Sequence, residues 1–362
     1  MIFRERSSHI SSHVAHSTAG YDYALPEELI AQHPSPRRDE SRLMVLRNDE
    51  IQHRRFADLA LLLLHDDVLV LNETRVIAAR LVGRREGGGR AELLLLHPAD
   101  KLRYDATALC WIALVRPARR LRTGRRVLFG ELGEATIRDE LEDGMREIEL
   151  SLALPLERFL EKAGRMPLPP YIHNESREAQ EHYQTVFARV PGSVAAPTAS
   201  LHFTPELLCE LEGRVEIVRI SLNVGLGTFR PINAGAIEEH VMHAEAYTIG
   251  QQAAATLERA RRDGRRIVAC GTTVVRALEG NLRDFGRIEA GDHATDLFIT
   301  PGFRFRVVDA MITNFHLPRS TLLVLVSAFG GFERIRGAYA QAIAQRYRFY
   351  SFGDAMLISK QA

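Results

Sequence analysis

The sequence predicts a mixed α/β domain into which a small antiparallel β-barrel domain is inserted. Three observations lead there. From Val215 onward strand-like runs alternate with helical ones (VEIVRISLNV, QQAAATLERARRDG, RRIVACG, TTVVRALEGNL), the pattern of strands covered by helices. Between Asp67 and Ala153 short strand-like runs follow one another with no helix among them, divided by Gly87-Gly88-Gly89, Gly124, Gly130 and Gly144. Finally, 362 residues can bury two cores rather than one. The expected division is an α/β domain over 21–66 and 154–362 and a barrel over 67–153. Residues 1–20 are rich in Ser and His, lack an apolar run, and read as a disordered extension.

Taken in order, YDYALPEELIAQHP places Pro26 at a helix start and Glu27-Glu28 in its first turn, a short helix ending before His33-Pro34. PSPRRDESRLMVLR follows. Its Arg-Asp-Glu-Ser-Arg cluster is either a solvated loop or an anion contact, and LMVLR is a strand. DVLVLN, VIAARLVGRR, RAELLLLHP, WIALVRPARRL, RRVLFG, EATIRDEL and MREIEL supply the barrel, closed by the helix LPLERFLEKAG. Trp111 to Arg126 reads as one hairpin carrying Arg116, Arg119, Arg120, Arg122, Arg125 and Arg126 and no acid. That is a local phosphate-binding surface, or else a β edge protected by charge. MPLPPYI is a rigid connector. In VPGSVAAPTASLHFTP four breakers, Pro191, Gly192, Pro197 and Pro205, suppress regular structure. Thr204 then caps the helix PELLCELE. The C-terminal half continues as alternating strand and helix, a sheet of mainly parallel character, with TTVVRALEGNL capped by Thr272 and DAMLI as the last strand.

Composition narrows the class. Hydrophobic content of 46% and charged content of 26% are those of an ordinary globular protein, and a net charge of +1 gives no global signal for nucleic acid. Lys101, Lys162 and Lys360 are the only lysines, so nearly every cation is an Arg, which offers bidentate phosphate contacts. Cys110, Cys209 and Cys270 form no CxxC pair, which argues against a zinc ribbon or a disulfide framework and suits a reducing, cytoplasmic setting. No run of ~18 apolar residues occurs, so no membrane span is expected.

Several loops gather polar groups. Ser193, Thr198, Ser200, His202 and Thr204 sit among small residues that let a ligand approach the backbone, or that pack a buried connection. Gly225-Leu226-Gly227 follows a strand, but Pro231 forbids the helix that a dinucleotide fingerprint needs; Gly225, Gly227 and Thr228 remain a turn open to a ligand. His240 and His243 stand at i, i+3 beside Glu245. No third ligand matches them, so no metal is assigned; a structural pair and an acid–base group both remain open. Cys270-Gly271-Thr272-Thr273 ends a buried strand and opens a helix, where exposed N–H groups favour an anion, with Arg276 one turn on. Thr313, Asn314 and His316 precede a Pro-terminated loop and read as one wall of a pocket. No GxSxG, HExxH or P-loop occurs.

From Tyr21 to Ile358 the chain closely resembles the S-adenosylmethionine:tRNA ribosyltransferase-isomerases of queuosine biosynthesis. The strings that carry the resemblance are YDYALPEELIAQHP, LNETRVIAARL, MPLPPYI, YQTVFARVPGSVAAPTASLHFT, GLGTFRPI, HVMHAE, GTTVVRALE, TPGFRF, VDAMITNFHLPRSTLLVLVSAF and YRFYSFGDAMLI. It implies an α/β domain with an inserted β-barrel. It also implies transfer of the ribosyl part of S-adenosylmethionine to 7-aminomethyl-7-deazaguanine at the wobble position of a tRNA, giving epoxyqueuosine, adenine and methionine. A proton would leave C5′, next to the sulfonium; the ylide would lose adenine, and the aminomethyl nitrogen would capture the sugar before methionine departs and the epoxide closes. Such chemistry needs a base, an acid and exclusion of water. His202, His243, Glu245 and His316 are its candidates. Asn72, Glu73, Arg75, Thr198, Ser200, Gly225, Gly227, Thr228, Thr272, Thr273, Arg276, Thr313 and Asn314 are expected to bind substrate, and the six barrel arginines tRNA. S-adenosylmethionine is the co-substrate; no prosthetic group, metal, membrane or obligate protein partner is implied, and the chain is expected to act as a cytoplasmic monomer. The chain departs from the family pattern at one position: Asn223 stands where His is usual, so a paralogue that binds tRNA without turnover is the second reading. An RNA methyltransferase is the third, and the missing Rossmann glycines speak against it.

Overall fold

A computed structural model of the protein describes residues 14–47, 50–100, 104–223, 225, 232 and 235–361. From Val14 the chain is seated on the body of the protein. Thr18 N donates to Gly235 O (3.1 Å), Ser17 pairs with Ala236, and Tyr21 Oη donates to Ala15 O (2.7 Å), so the described end of the expected disordered extension has fixed partners. The helix expected in YDYALPEELIAQHP is only a 3-10 turn over Glu27–Leu29, because Ile30 is drawn into extended pairing with Phe349.

The strands in chain order begin with β1 (Arg42–Arg47), β2 (Glu50–Arg55), β3 (Val68–Asn72) and β4 (Thr74–Val76). A run of six follows: β5 (Arg80–Arg85), β6 (Arg90–Pro98), β7 (Cys110–Arg116), β8 (Arg126–Leu128), β9 (Gly133–Glu140) and β10 (Met145–Leu152). After the helix Leu156–Ala163 come β11 (Gly164–Arg165), β12 (Val190–Ser193), β13 (Glu216–Leu222), β14 (Glu245–Ile249), β15 (Ile267–Cys270), β16 (Gly291–Thr295), β17 (Ala310–Asn314) and β18 (Ala355–Ser359).

Nine strands form the central sheet in the order β16-β14-β13-β3-β15-β17-β18-β1-β2. The sheet is mixed rather than mainly parallel. Its centre, β13-β3-β15-β17, is parallel, but β14 and β16 add an antiparallel lobe at one edge, and β18 and β2 run antiparallel to β17 and β1. In β3 every residue is buried, and alternate side chains feed opposite cores. Val68 and Val70 pack with the helices Gln251–Arg262, Thr272–Phe285, Thr321–Gly330 and Phe332–Ala344, whereas Leu69 and Leu71 pack toward Pro205–Glu212. A strand that opens the insert in the sequence reading is thus an inner strand of the α/β layer.

The second sheet closes on itself. The order β5-β6-β7-β10-β9-β8 is completed by pairing of β8 with β5, giving a six-stranded antiparallel barrel around Leu81, Leu93, Trp111, Val127, Ile137 and Ile148. Trp111 to Arg126 is not a hairpin. β7 pairs with β6 and β10, β8 with β9 and β5, and the segment between them is a crossover that starts at Pro117 and the turn Ala118–Arg120. The arginines therefore decorate a loop across one end of the barrel. Arg116 lies five residues along β7 from Trp111, about 17 Å. Trp111 in turn meets Tyr104, ring centroids 6.0 Å apart and tilted by 58°, beside the interdomain contact.

Candidate functional site

Parallel pairing of β13, β3, β15 and β17 brings their C-terminal ends, Leu222, Asn72, Cys270 and Asn314, to one edge of the sheet. In such sheets ligands bind outside this edge. Because β18 runs against β17 and alongside β1, residues just before those strands, Asp354 and Ser41, reach the same edge. The loop from Val190 to Thr204 crosses above it, held by β12 on β4 and by Ser200 Oγ on Cys270 Sγ (3.4 Å). Most of the polar residues singled out from sequence stand here, but in separate groups.

On the β17 side, His202 is buried, stacked on Phe56 and bonded at both nitrogens, Nδ1 to Ser41 Oγ (2.7 Å) and Nε2 to Asn314 Nδ2 (3.2 Å). Burial, with Arg348 and Arg38 nearby, pulls its pKa down to about 3. Asn314 also donates to Tyr350 O (3.0 Å), fixing Tyr350 in a left-handed conformation (φ 71), while its buried Oδ1 has no partner among the described residues. His316 Nε2 meets Thr313 Oγ1 (2.7 Å). Its backbone is clamped from both sides: its N–H donates to Tyr339 Oη (2.9 Å), and Tyr23 Oη donates to its carbonyl. Burial lowers the His316 pKa to about 3 as well. A neutral imidazole this hard to protonate is a hydrogen-bonding group, not a proton acceptor poised near pH 7. Thr198 and His316 line a small cavity of about 30 Å³, room for one or two waters.

At the centre, Asn72 is fully engaged with backbone, accepting from Thr74 N (3.0 Å) and Leu222 N (3.0 Å) and donating to Leu222 O (3.3 Å). It ties β3 to β13 with three of the four hydrogen bonds its carboxamide can make. Glu73, also buried, meets the exposed Arg189 (2.9 Å), whereas Arg75 is exposed. Thr272 does not cap its helix. Gly271 occupies the cap with φ 101, and no side chain bonds the first turn. Thr272 and Thr273 are buried in that turn.

On the β13–β14 side, EEHVMHAEAY is not helical. A turn over Ile237–Glu239 leads into an extended segment and then β14, so the i, i+3 spacing of His240 and His243 has no helical meaning. Among the described residues no group of His, Cys, Asp or Glu is arranged to hold a metal. His243 is exposed, and Glu245, two residues on, is buried in an ion pair with Arg276. Arg276 also donates to Leu297 O (2.9 Å) and Thr295 O (3.4 Å), and Glu245 Oε1 accepts from Gly225 N (3.3 Å). The pair thereby anchors the start of the Gly225 loop; Gly227 and Thr228 lie outside the described residues. Gly192, at φ +141, lies against Asn223 and the barrel's Tyr104. A Cβ there would stand 2.5 Å from Tyr104 Cβ and 3.0 Å from Asn223 Oδ1. Beside this junction open a cavity of about 340 Å³ lined by Pro191, Asn223, Ala246 and Ala294 and, along β13, a trough of about 560 Å³ reaching Glu73 and Arg189. Both volumes suit a nucleoside-sized ligand.

Four inter-strand steps of ~4.8 Å separate β17 from β14, about 19 Å of sheet. The four acid–base candidates therefore do not converge on one atom: His202 and His316 form one group, His243 and Glu245 another. Arg116, Arg119, Arg120, Arg122 and Arg125 are exposed with no ion pair among the described residues, whereas Arg126 is held by Glu86 and Glu134. Sequence reading missed Tyr23, Tyr339 and Arg189, and placed Ser41 only within a polar cluster without its partner His202. Ser41 meets His202 across 161 positions, a distance at which no local pattern signals contact.

The chain was compared with known proteins. Residues 18–358 match a family described as queuosine biosynthesis protein. Among curated relatives, S-adenosylmethionine:tRNA ribosyltransferase-isomerases from Pelotomaculum thermopropionicum and Symbiobacterium thermophilum are 50% and 52% identical, each over 93% of this chain and 98% of theirs. A crystal structure of the S-adenosylmethionine tRNA ribosyltransferase from Thermotoga maritima is 37% identical and superposes with a TM-score of 0.52, covering 93% of this chain and 99% of that one.

Proposed function

The chain belongs to the S-adenosylmethionine:tRNA ribosyltransferase-isomerases of queuosine biosynthesis, and from that premise we propose how its sheet edge serves their reaction. The enzyme transfers and isomerises the ribosyl moiety of S-adenosylmethionine onto 7-aminomethyl-7-deazaguanine in tRNA, with S-adenosylmethionine as co-substrate. Its products are epoxyqueuosine-tRNA, adenine and methionine. As tRNA is the acceptor, the working compartment is the cytoplasm; no helix among the described residues is long and apolar enough to cross a membrane.

In our reading the S-adenosylmethionine and the acceptor base occupy the cavity beside Asn223 and the trough along β13. His243, exposed three residues before the cavity-lining Ala246, exchanges the protons: it accepts from C5′ or donates to the departing adenine. Glu245, held by Arg276, orients the Gly225 loop over the reacting sugar. Thr272 and Thr273, in the uncapped first turn of their helix, offer N–H groups to substrate oxygens. His202, Asn314, Thr313 and His316 work as a neutral hydrogen-bonded network that shapes the other end of the edge. The barrel loop of Arg116, Arg119, Arg120, Arg122, Arg125 and Arg126, between β7 and β8, meets the tRNA outside the wobble base.

The observation that carries the reading is that the family match spans the whole edge, from Ser41 through Asn72, His202, Glu245 and Arg276 to Asp354. The test is incubation with S-adenosylmethionine and tRNA bearing the aminomethyl-deazaguanine, with products identified by mass. Adenine, methionine and a base heavier by the sugar are expected; S-adenosylhomocysteine would mean methyl transfer and overturn the reading. Asn223 favours a second reading, an inactive tRNA-binding paralogue. It requires salt-sensitive tRNA binding without adenine release, and recovery of turnover in Asn223→His.

A further inference from the structure

We propose that the cleft lined by Pro34, Ser35, Arg38, Leu201–His202 and Ser351–Gly353 is an anion subsite that holds an oxyanion group of a substrate. The proposal rests on the function proposed above for its two possible sources, a phosphodiester of the tRNA and the carboxylate of the S-adenosylmethionine. The cleft opens at the same sheet edge, on the β1–β18 side of His202. Arg38 lines it. Through Nη1 the guanidinium donates to Leu201 O (3.0 Å) and His182 O (3.2 Å), its Nε and Nη2 have no partner among the described residues, and no carboxylate among them pairs with it. Arg348 stands directly behind, donating to Ser35 Oγ (2.8 Å), Phe352 O (2.8 Å) and His33 O.

No carboxylate among the described residues bonds the Arg348 guanidinium either. Asp354 accepts instead from the Arg348 backbone N–H (2.8 Å) and from the Arg42 guanidinium (3.1 Å), and Asp39 is taken by the neighbouring Arg37 (3.2 Å). Burial lowers the pKa of both Arg38 and Arg348, and both in turn depress that of His202, so the two positive fields meet at the cleft. Two partly desolvated cations face carbonyls and one hydroxyl, with the Asp354 charge acting on Arg348 alone. Arg38 in particular therefore carries a desolvation cost that a bound anion offsets. The cleft encloses about 20 Å³, room for one oxygen-sized group rather than a nucleoside. It therefore reads charge, and leaves base recognition to the larger cavities.

The test removes the charge and keeps a donor. Arg38→Gln retains an amide N–H for the Leu201 carbonyl. Filter binding of tRNA and equilibrium dialysis of S-adenosylmethionine, on wild type and variant at fixed ionic strength, read the two sources separately without turnover. A loss on the order of 10-fold or more in tRNA affinity, with a shallower salt dependence and S-adenosylmethionine unchanged, assigns the phosphodiester. The same loss for S-adenosylmethionine alone assigns the carboxylate. Unchanged affinity for both in a variant that melts with the wild type overturns the subsite. If Arg38→Gln does not fold, Arg348→Gln is read against the same outcomes. Arg37→Gln, spent on Asp39, is the control and is expected to bind both normally. A wild type that binds both substrates yet releases no adenine counts against the function and leaves this test intact.

Discussion

Two buried histidines make the stability of this protein fall in mild acid, by an amount that follows from their surroundings. His202 and His316 are each about 3 in the folded protein, against ~6.5 when unfolded. A depressed imidazole binds its proton only in the unfolded chain between those values. Its stabilising effect is therefore complete above pH 6.5 and is lost progressively as pH falls toward 3. From pH 7 to pH 5 each histidine removes about 2 kcal/mol, and the pair about 4 kcal/mol. His240 is lowered in the same direction by partial burial, and Glu279, raised by burial, acts with the opposite sign; both are unchanged in the variants below and cancel in the comparison. His202→Gln keeps a side chain able to bond Ser41 and Asn314 but cannot titrate. Urea unfolding at pH 7, 6 and 5 should show the acid loss shrink by about 2 kcal/mol in His202→Gln and by about 4 kcal/mol with His316→Gln added. Parallel pH curves for wild type and double variant would refute the claim that these imidazoles are held neutral.

Three further perturbations separate the parts of the edge. Arg276→Met leaves Glu245 buried without its cation and should cost about 3–5 kcal/mol in a thermal or urea melt, most of it recovered when Glu245→Gln is added; equal stability of single and double variants would remove the pair as the anchor of the Gly225 loop. Gly192→Ala must place a Cβ against Tyr104 and Asn223 at a positive φ, so turnover should drop by at least 10-fold while the barrel and α/β cores still melt together; wild-type turnover would mean that the junction is not part of the site. Replacing Arg119, Arg120 and Arg122 by Gln should weaken tRNA binding and reduce the magnitude of the log–log salt slope by about 0.7–0.9 for every phosphate no longer neutralised, with S-adenosylmethionine binding untouched; an unchanged slope would leave the loop a solvated one.

The layers were legible in the sequence where the physical signal is local. Strand–helix alternation after Val215 and Gly-divided short runs before Ala153 depend on hydrophobic period and turn chemistry, and both halves of the architecture follow from them. What escaped depends on partners distant in sequence. The barrel arginines looked like a hairpin because neighbouring strands usually pair, but β7 and β8 each found other neighbours in the closed barrel. β14 was hidden by two histidines at helical spacing, although Glu245, Tyr247 and Ile249 alternate inward as a strand requires. Asn72 looked like a ligand group because its carboxamide sits in a polar motif. Only the pairing of β3 with β13 puts both its donor and its acceptor onto Leu222.

The same long-range partners decide which residues are suited to move protons. Sequence alone ranks His202 and His316 with His243, since each is an imidazole in a polar loop. Their surroundings rank them differently. His202 has both nitrogens occupied and two guanidinium groups opposing its protonation, and His316 has its backbone clamped by two tyrosines and its ring bonded to Thr313. Taking a proton from C5′ at either would form an imidazolium in a site where burial disfavours positive charge. We propose His243, exposed and two residues from the Glu245–Arg276 pair, as the group that makes the exchange. His243→Gln should then lower kcat with little change in either substrate's affinity, whereas His316→Gln should act mainly through KM. The reverse pattern would return proton transfer to the β17 side of the edge.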